Sequence, residues 1–240
     1  MASAKAPSTA VALLARDLLD HAPNDPMAEE LVGWLARSGR FRAFVEVHRD
    51  KIRKKLRGAK DADSRRDVRA ELRVAHSLLE DRRFELAYEP YGSGKRGPDF
   101  SVTFRSGRSF NLEVTRLRGP LGTAAPIEPL MSKLRQLAPG LANALLVAVE
   151  GESAAALDVV AASRALRGHA DRKDDEFFIR RGFVGTRGFY DQYLRLGGVL
   201  VFCEGAIGDR RAELWLNRSA RIPLPERAVR AGLLCLRLDS

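Results

Sequence analysis

The stretch GPDFSVTFRSGRSFNLEVTRL, residues Gly97 to Leu117, alternates apolar and polar side chains on both sides of Ser106-Gly107-Arg108. Period-two alternation broken by a Ser-Gly pair predicts a β-hairpin. In the first strand Phe100, Val102 and Phe104 share one face, and Asp99, Ser101 and Thr103 the other. In the second, Phe110, Leu112 and Val114 share one face, and Asn111, Glu113 and Thr115 the other. Two carboxylates, Asp99 and Glu113, are thereby expected on one side of adjacent strands, in a register that depends on the turn. Acids on a solvent face are ordinary. Here, however, Asp99 follows Gly97-Pro98 at the head of its strand, Glu113 interrupts an otherwise apolar run, and the preceding loop YGSGKRG is Gly-rich and basic.

Working outward, DSRRDVRAELRVAHSLLEDRRF predicts a long amphipathic helix and FELAYEPYG a strand ahead of the hairpin. PIEPLMSKLRQLAPG follows as a helix with proline at its start and Pro-Gly at its end. NALLVAVEG is a short, continuously apolar strand, as expected for burial on both faces. Residues 153–167 predict a further helix, GGVLVFCEG and RAELWLNRS further strands, and the last segment a short helix and a strand. The order α-β-β-β-α-β implies an α/β fold with a mixed sheet flanked by helices. Residues 1–63 read as an N-terminal helical extension and 64–240 as the α/β domain. Within the extension, STAVALLARDLLDHA, DPMAEELVGWLARSG and FRAFVEVHRDKIRKKLRGAKDADS predict three helices, the last with a densely basic end.

The chain of 240 residues carries 41 Lys and Arg against 31 Asp and Glu, a formal charge of +10. Its sequence pI of about 10.1 favours a polyanionic partner or an anionic membrane surface, nucleic acid being the first expectation. No run approaches the roughly 20 apolar residues of a membrane span, and the first apolar run, interrupted by Arg16 and Asp17, reads as an amphipathic helix and not a signal peptide. Cys203 and Cys235 sit in apolar runs and read as small buried hydrophobes, which suits a cytoplasmic location. His48, His76 and His169 stand apart and read as structural or surface residues. RRGFVGTRGFYDQY interleaves arginine with aromatics, a pattern suited either to stacking bases or to packing a core.

In the helix before the hairpin, Glu71 lies in line with the apolar stripe Val74, Ala75, Leu78 and Leu79. Glu71, a strand, Pro98-Asp99 and then Glu113-Val114-Thr115 resemble the PD-(D/E)xK, or restriction-endonuclease-like, nuclease superfamily over roughly residues 64–150. The resemblance implies an αβββαβ core and Mg2+- or Mn2+-dependent hydrolysis of phosphodiesters in DNA. Asp99, Glu113 and the Val114 carbonyl would hold the metal, with Glu71 as auxiliary acid. It also implies a lysine where Thr115 stands. Lys133, in the following helix, is the first candidate to replace it, an exposed helix lysine being the plain alternative. Lys95 is the second candidate, better suited to phosphate. Arg116 points to the opposite face from Thr115, and Arg118 shares its parity. Lys95, Arg96, Arg118, Lys54 and Lys55 are the expected nucleic-acid contacts. A homodimer is left open. The alternative function is a catalytically inactive nucleic-acid-binding module on the same fold.

Overall fold

The computed structural model describes residues 9–20, 22, 25–92, 97–105, 107–117, 127–150, 158–204 and 211–238. The chain divides into two compact units, Met1–Leu86 and Ala87–Ser240, with the division inside a strand.

The first unit contains α1 (Thr9–Leu18), α2 (Met27–Arg37), α3 (Gly39–Val47), α4 (Arg49–Gly58) and α5 (Ala62–Glu80). The basic helix expected after residue 40 is two helices, because His48 leaves the helical region at φ −104°, ψ 15° and packs its ring on Phe44 at 4.8 Å. Aspartate caps α5: the Asp61 carboxylate accepts from the Ser64 N–H, satisfying a backbone donor that the first turn leaves open. At its other end, the Arg40 guanidinium donates to the carbonyls of Leu79 and Asp81, each at 2.8 Å, and to that of Phe84. One cation thus closes the C-terminus of α5 and the turn into the next strand, where helix carbonyls lack partners.

A six-stranded sheet follows in the order β1-β2-β3-β4-β5-β6, formed by β1 (Phe84–Tyr88), β2 (Phe100–Phe104), β3 (Arg108–Arg116), β4 (Ala142–Glu150), β5 (Leu196–Glu204) and β6 (Arg211–Leu216). The β2–β3 and β5–β6 pairs are antiparallel, and β3–β4 and β4–β5 parallel, so the sheet is mixed. Helices α6 (Ile127–Leu134), α7 (Val159–Asp171), α8 (Asp175–Ile179) and α9 (Gly185–Tyr193) interrupt the strands, and α10 (Glu226–Leu238) ends the chain and packs against β6. The order α5-β1-β2-β3-α6-β4 is the one the alternation implies. The C-terminal segment differs from expectation. It is one 13-residue helix with no final strand among the described residues, its buried Ala228, Val229, Leu233 and Leu236 recurring at helical spacing.

Leu145, Val147 and Val149 of β4 and Val199, Val201 and Cys203 of β5 face a layer made by Leu130, Met131 and Leu134 of α6, Leu166 of α7, Phe178 of α8 and Phe189 and Tyr193 of α9. The Arg-aromatic stretch therefore packs a core: Phe178 stacks on Phe189 at 4.3 Å, and both are fully buried. Cys203 is buried in this layer and Cys235 is half-buried. At the foot of the sheet, the Asn143 side-chain amide reaches the carbonyls of Ala138, Leu141 and Arg195 at 2.9–3.1 Å, tying the α6–β4 turn to the start of β5.

Close approach makes glycine necessary at Gly198 in β5, where a Cβ would lie 2.6 Å from the Trp215 carbonyl oxygen of β6. Gly198→Ala is expected to destabilise the chain by about 1–3 kcal/mol in urea titrations. Gly33→Ala, in α2 with nothing within 4 Å of the added methyl, is expected to stabilise it by about 0.5–1 kcal/mol.

Candidate functional site

The antiparallel register pairs Phe100 with Leu112 and Ser101 with Asn111; continued by one residue, it sets Asp99 opposite Glu113. β2 begins only at Phe100, whereas β3 runs on to Arg116 alongside β4. The sheet forks there, and the Val114 N–H on the open side donates to the Asp99 carboxylate at 2.8 Å. Strand alternation alone puts the Asp99 side chain on the Glu113 face. In the structure the residue precedes the strand, and its carboxylate reaches toward the edge of β3. The Asp99 carbonyl accepts from the N–H of Glu89, which itself adopts φ +42°. N–H and C=O of one strand residue project to the same edge, so the Val114 carbonyl opens into the same fork.

Glu113 pairs in register with Leu145, and Thr115 with Val147. In-register neighbours share a face, so both residues of β3 lie on the side covered by α6. α6 turns Leu130, Met131 and Leu134 to the sheet and carries Lys133 at the margin of that stripe. The Lys133 ammonium donates to Glu113 Oε1 at 2.7 Å, with the Glu113 side chain 6% exposed and that of Lys133 23%. The cation thus arrives from the helix after the strand. Thr115, where the lysine was missing, is half-buried on the same face.

Two neighbours from the α8–α9 segment meet α6, one at its first turn and one just past its end. The Arg181 guanidinium pairs with Glu128 at 2.6 Å and lies 3.8 Å above the Phe177 ring. Arg135 covers Gly182, at φ +78°, so closely that an added Cβ would meet its guanidinium. None of these long-range partners has a local signal in the sequence.

Other predicted residues take different places. Glu71 is buried in the first unit and accepts from the Lys55 ammonium at 2.6 Å, so the expected auxiliary acid and one expected nucleic-acid contact are partners of each other. Lys54 is exposed on α4. Lys95, Arg96 and Arg118 lie outside the described residues. Arg116 is buried, its parity setting it on the Val114 face. The basic run of α4 meets acids of its own unit: Arg49 grips Asp17 at 2.5 and 2.6 Å, Arg53 reaches Asp17 and Asp50, and Arg57 pairs with Asp20. The hydrogen bond from Arg49 is the main cause holding the Asp17 carboxyl below its ordinary range. A signal for this was present, since Arg49, Arg53 and Arg57 recur every four residues and Asp17 and Asp20 are three apart, each set on one helix face. By contrast, Arg164 and Arg167 of α7, one turn apart and exposed, make no hydrogen bond or ion pair among the described residues.

No group of three or more His, Cys, Asp and Glu gathers as metal ligands among the described residues. Two carboxylates and a strand carbonyl at one fork are nonetheless a donor set of hard oxygens, and magnesium commonly binds one or two carboxylates together with waters and substrate phosphates. No family model matches the chain, and neither a curated protein nor a solved structure is similar to it.

The Glu113–Lys133 contact is expected to be energetically coupled. In a double-mutant cycle combining Glu113→Gln with Lys133→Met, the interaction read from urea unfolding should be about 0.5–3 kcal/mol; additivity would show that the two side chains meet without consequence.

Proposed function

We propose that this chain is a metal-dependent nuclease that hydrolyses phosphodiester bonds in DNA, built on a restriction-endonuclease-like core. The observation that carries the reading is that two successive residues of β3 at the β2–β3 fork draw polar partners, Glu113 the Lys133 ammonium from α6 and the Val114 N–H the Asp99 carboxylate. A hairpin with two ordinary acids would leave Glu113 in solvent, whereas here it is buried against a cation.

In this reading Asp99, Glu113 and the Val114 carbonyl hold Mg2+ or Mn2+. Bound metal would lower the pKa of a water and stabilise charge on the scissile phosphate. Lys133 brings a positive charge, on a flexible stem, to the side of the fork where a phosphate oxygen would gain charge. Thr115, on the same face, offers a hydroxyl to orient a water or a phosphate oxygen. Glu71 contributes through Lys55 to the electrostatics of its own unit.

The carboxylates repel DNA, so attraction must come from cations that acids do not already neutralise. The arginines of α4 are poor candidates, because Asp17, Asp20 and Asp50 oppose them. Arg164 and Arg167 of α7 are better ones. Asp171, a turn beyond them, is the nearest acid on the exposed face of that helix.

The test is cleavage of single- and double-stranded DNA with Mg2+ or Mn2+. Asp99→Ala and Glu113→Ala should each lower the rate by at least about 10²-fold, and Lys133→Met by roughly 10²–10³-fold. Chelation should abolish cleavage. Metal-independent activity, or equal activity in the variants, would overturn the nuclease reading; DNA binding without cleavage would favour the inactive binding module.

Binding measured with EDTA present tests the surface separately. Reversing the charge of Arg164 and Arg167 together should weaken binding to all sequences alike. It should also make the dependence of log K on log salt shallower by roughly 1 for each phosphate that the protein no longer neutralises.

A further inference from the structure

We infer that Lys133 is a displaceable counter-ion: it holds, on Glu113, the place that a divalent cation takes on binding, so that metal and ammonium compete for one carboxylate. The inference rests on the metal-binding reading above and adds to it a direction of coupling.

Three observations carry it. First, the Glu113 side chain is buried to all but 6% of its surface, and its oxygen is 2.7 Å from the ammonium. A carboxylate removed from water is costly without a positive partner, so the fold of the unliganded chain needs a cation at this position. Second, Glu113 lies one register step beyond the Phe100–Leu112 pair, next to the Val114 N–H that holds Asp99, so a metal held by the ligand set read above would use this carboxylate. Magnesium binds carboxylate oxygen at roughly 2.0–2.1 Å. A metal on Glu113 would therefore lie near the ammonium already in contact with it. Two positive centres at such a distance, in surroundings partly stripped of water, repel by several times the thermal energy. Third, the lysine can leave and the helix need not. Leu130, Met131 and Leu134 bury α6 in the core and Glu128 ties its first turn to Arg181, whereas Lys133 is about a quarter exposed on four rotatable methylenes.

Coupling of this kind is reciprocal: whatever the ammonium takes from metal affinity, the metal takes from the hold on the ammonium. Lys133, released from Glu113 but tethered beside it, then has the phosphodiester anion as its next partner. Lysine thus satisfies the buried acid before metal arrives and becomes available to the substrate afterwards.

The experiment measures Mn2+ binding to the full chain without nucleic acid, by the electron paramagnetic resonance signal of free Mn2+, for the wild type, Lys133→Met and Lys133→Gln. Circular dichroism checks that each is folded. Both variants should bind Mn2+ about 5- to 50-fold more tightly than the wild type, while losing cleavage. Adding Glu113→Gln should remove the gain. In the wild type, Lys133 should be acetylated faster by an amine-reactive reagent in Mg2+ than in EDTA, as read by mass spectrometry; this arm decides the matter if the variants do not fold. Unchanged or weaker Mn2+ binding in both folded variants would overturn the inference and leave the metal site standing, as would Mn2+ binding with Lys133 acetylation unaltered. Absence of Mn2+ binding in every form would overturn the metal-binding reading and this inference together.

Discussion

Burial of β3 on both of its faces makes each polar group it carries costly without a partner, and of the buried polar side chains Asn111 and Glu113 only the Asn111 side-chain carbonyl oxygen is left without a hydrogen bond among the described residues. Phe110, Leu112 and Val114 occupy one face and Asn111 and Glu113 the other, and all five are at most 5% exposed. A polar group in that position costs free energy unless it is hydrogen-bonded, and a charge costs more. Asn111 donates to Asn143 at the head of β4. Glu113 meets Lys133. Where β2 gives out, the Val114 N–H meets Asp99. Each requirement draws in a different neighbour: a strand, a helix and a strand entrance. The positions of α6 and the β2 entrance are consequences of burying this one strand.

The same constraint generates chemistry. In the proposed reading, a buried carboxylate that must have a cation responds to which cation is offered, and Glu113 is the β3 residue next to Val114, whose N–H holds the Asp99 carboxylate. Burial of Leu130, Met131 and Leu134 and the Glu128–Arg181 pair hold α6 as a mount for the partly exposed lysine. Precision in the mount and freedom in the side chain are both required if one residue is to serve a buried acid and a substrate phosphate in turn.

Net charge is a weak guide to where a polyanion would bind, and this chain illustrates why. Its densest basic run, on α4, faces Asp17 of α1 and Asp20 just beyond it, and these ion pairs confine the field locally. Arg164 and Arg167 attract no notice as a sequence run, yet their side chains stand exposed without an acid bound to them among the described residues. Exposed ion pairs stabilise little, but they do decide which charges remain for a ligand.

Much of the architecture was legible without coordinates, because hydrophobic period is a local property. Alternation over residues 99–115 marked the hairpin, continuous apolarity marked β4 as a buried strand, and their order implied a mixed sheet flanked by helices. Parity also put Asp99 and Glu113 on neighbouring strands near one another. Local period did not reveal the break at His48, where ring packing on Phe44 accompanies a departure from helix, or the single helix that ends the chain. Nor did it reveal that Asp99 turns to the edge of β3, since that depends on where β2 stops. Which cation meets the two buried glutamates was beyond the sequence. Lys133 and Glu113 are 20 residues apart, and Lys55 and Glu71 are 16 apart, in separate elements. Composition supplied the charges; the packing of helix against strand, and of helix against helix, assigned their partners, because a salt bridge depends on positions that no stretch of chain specifies alone.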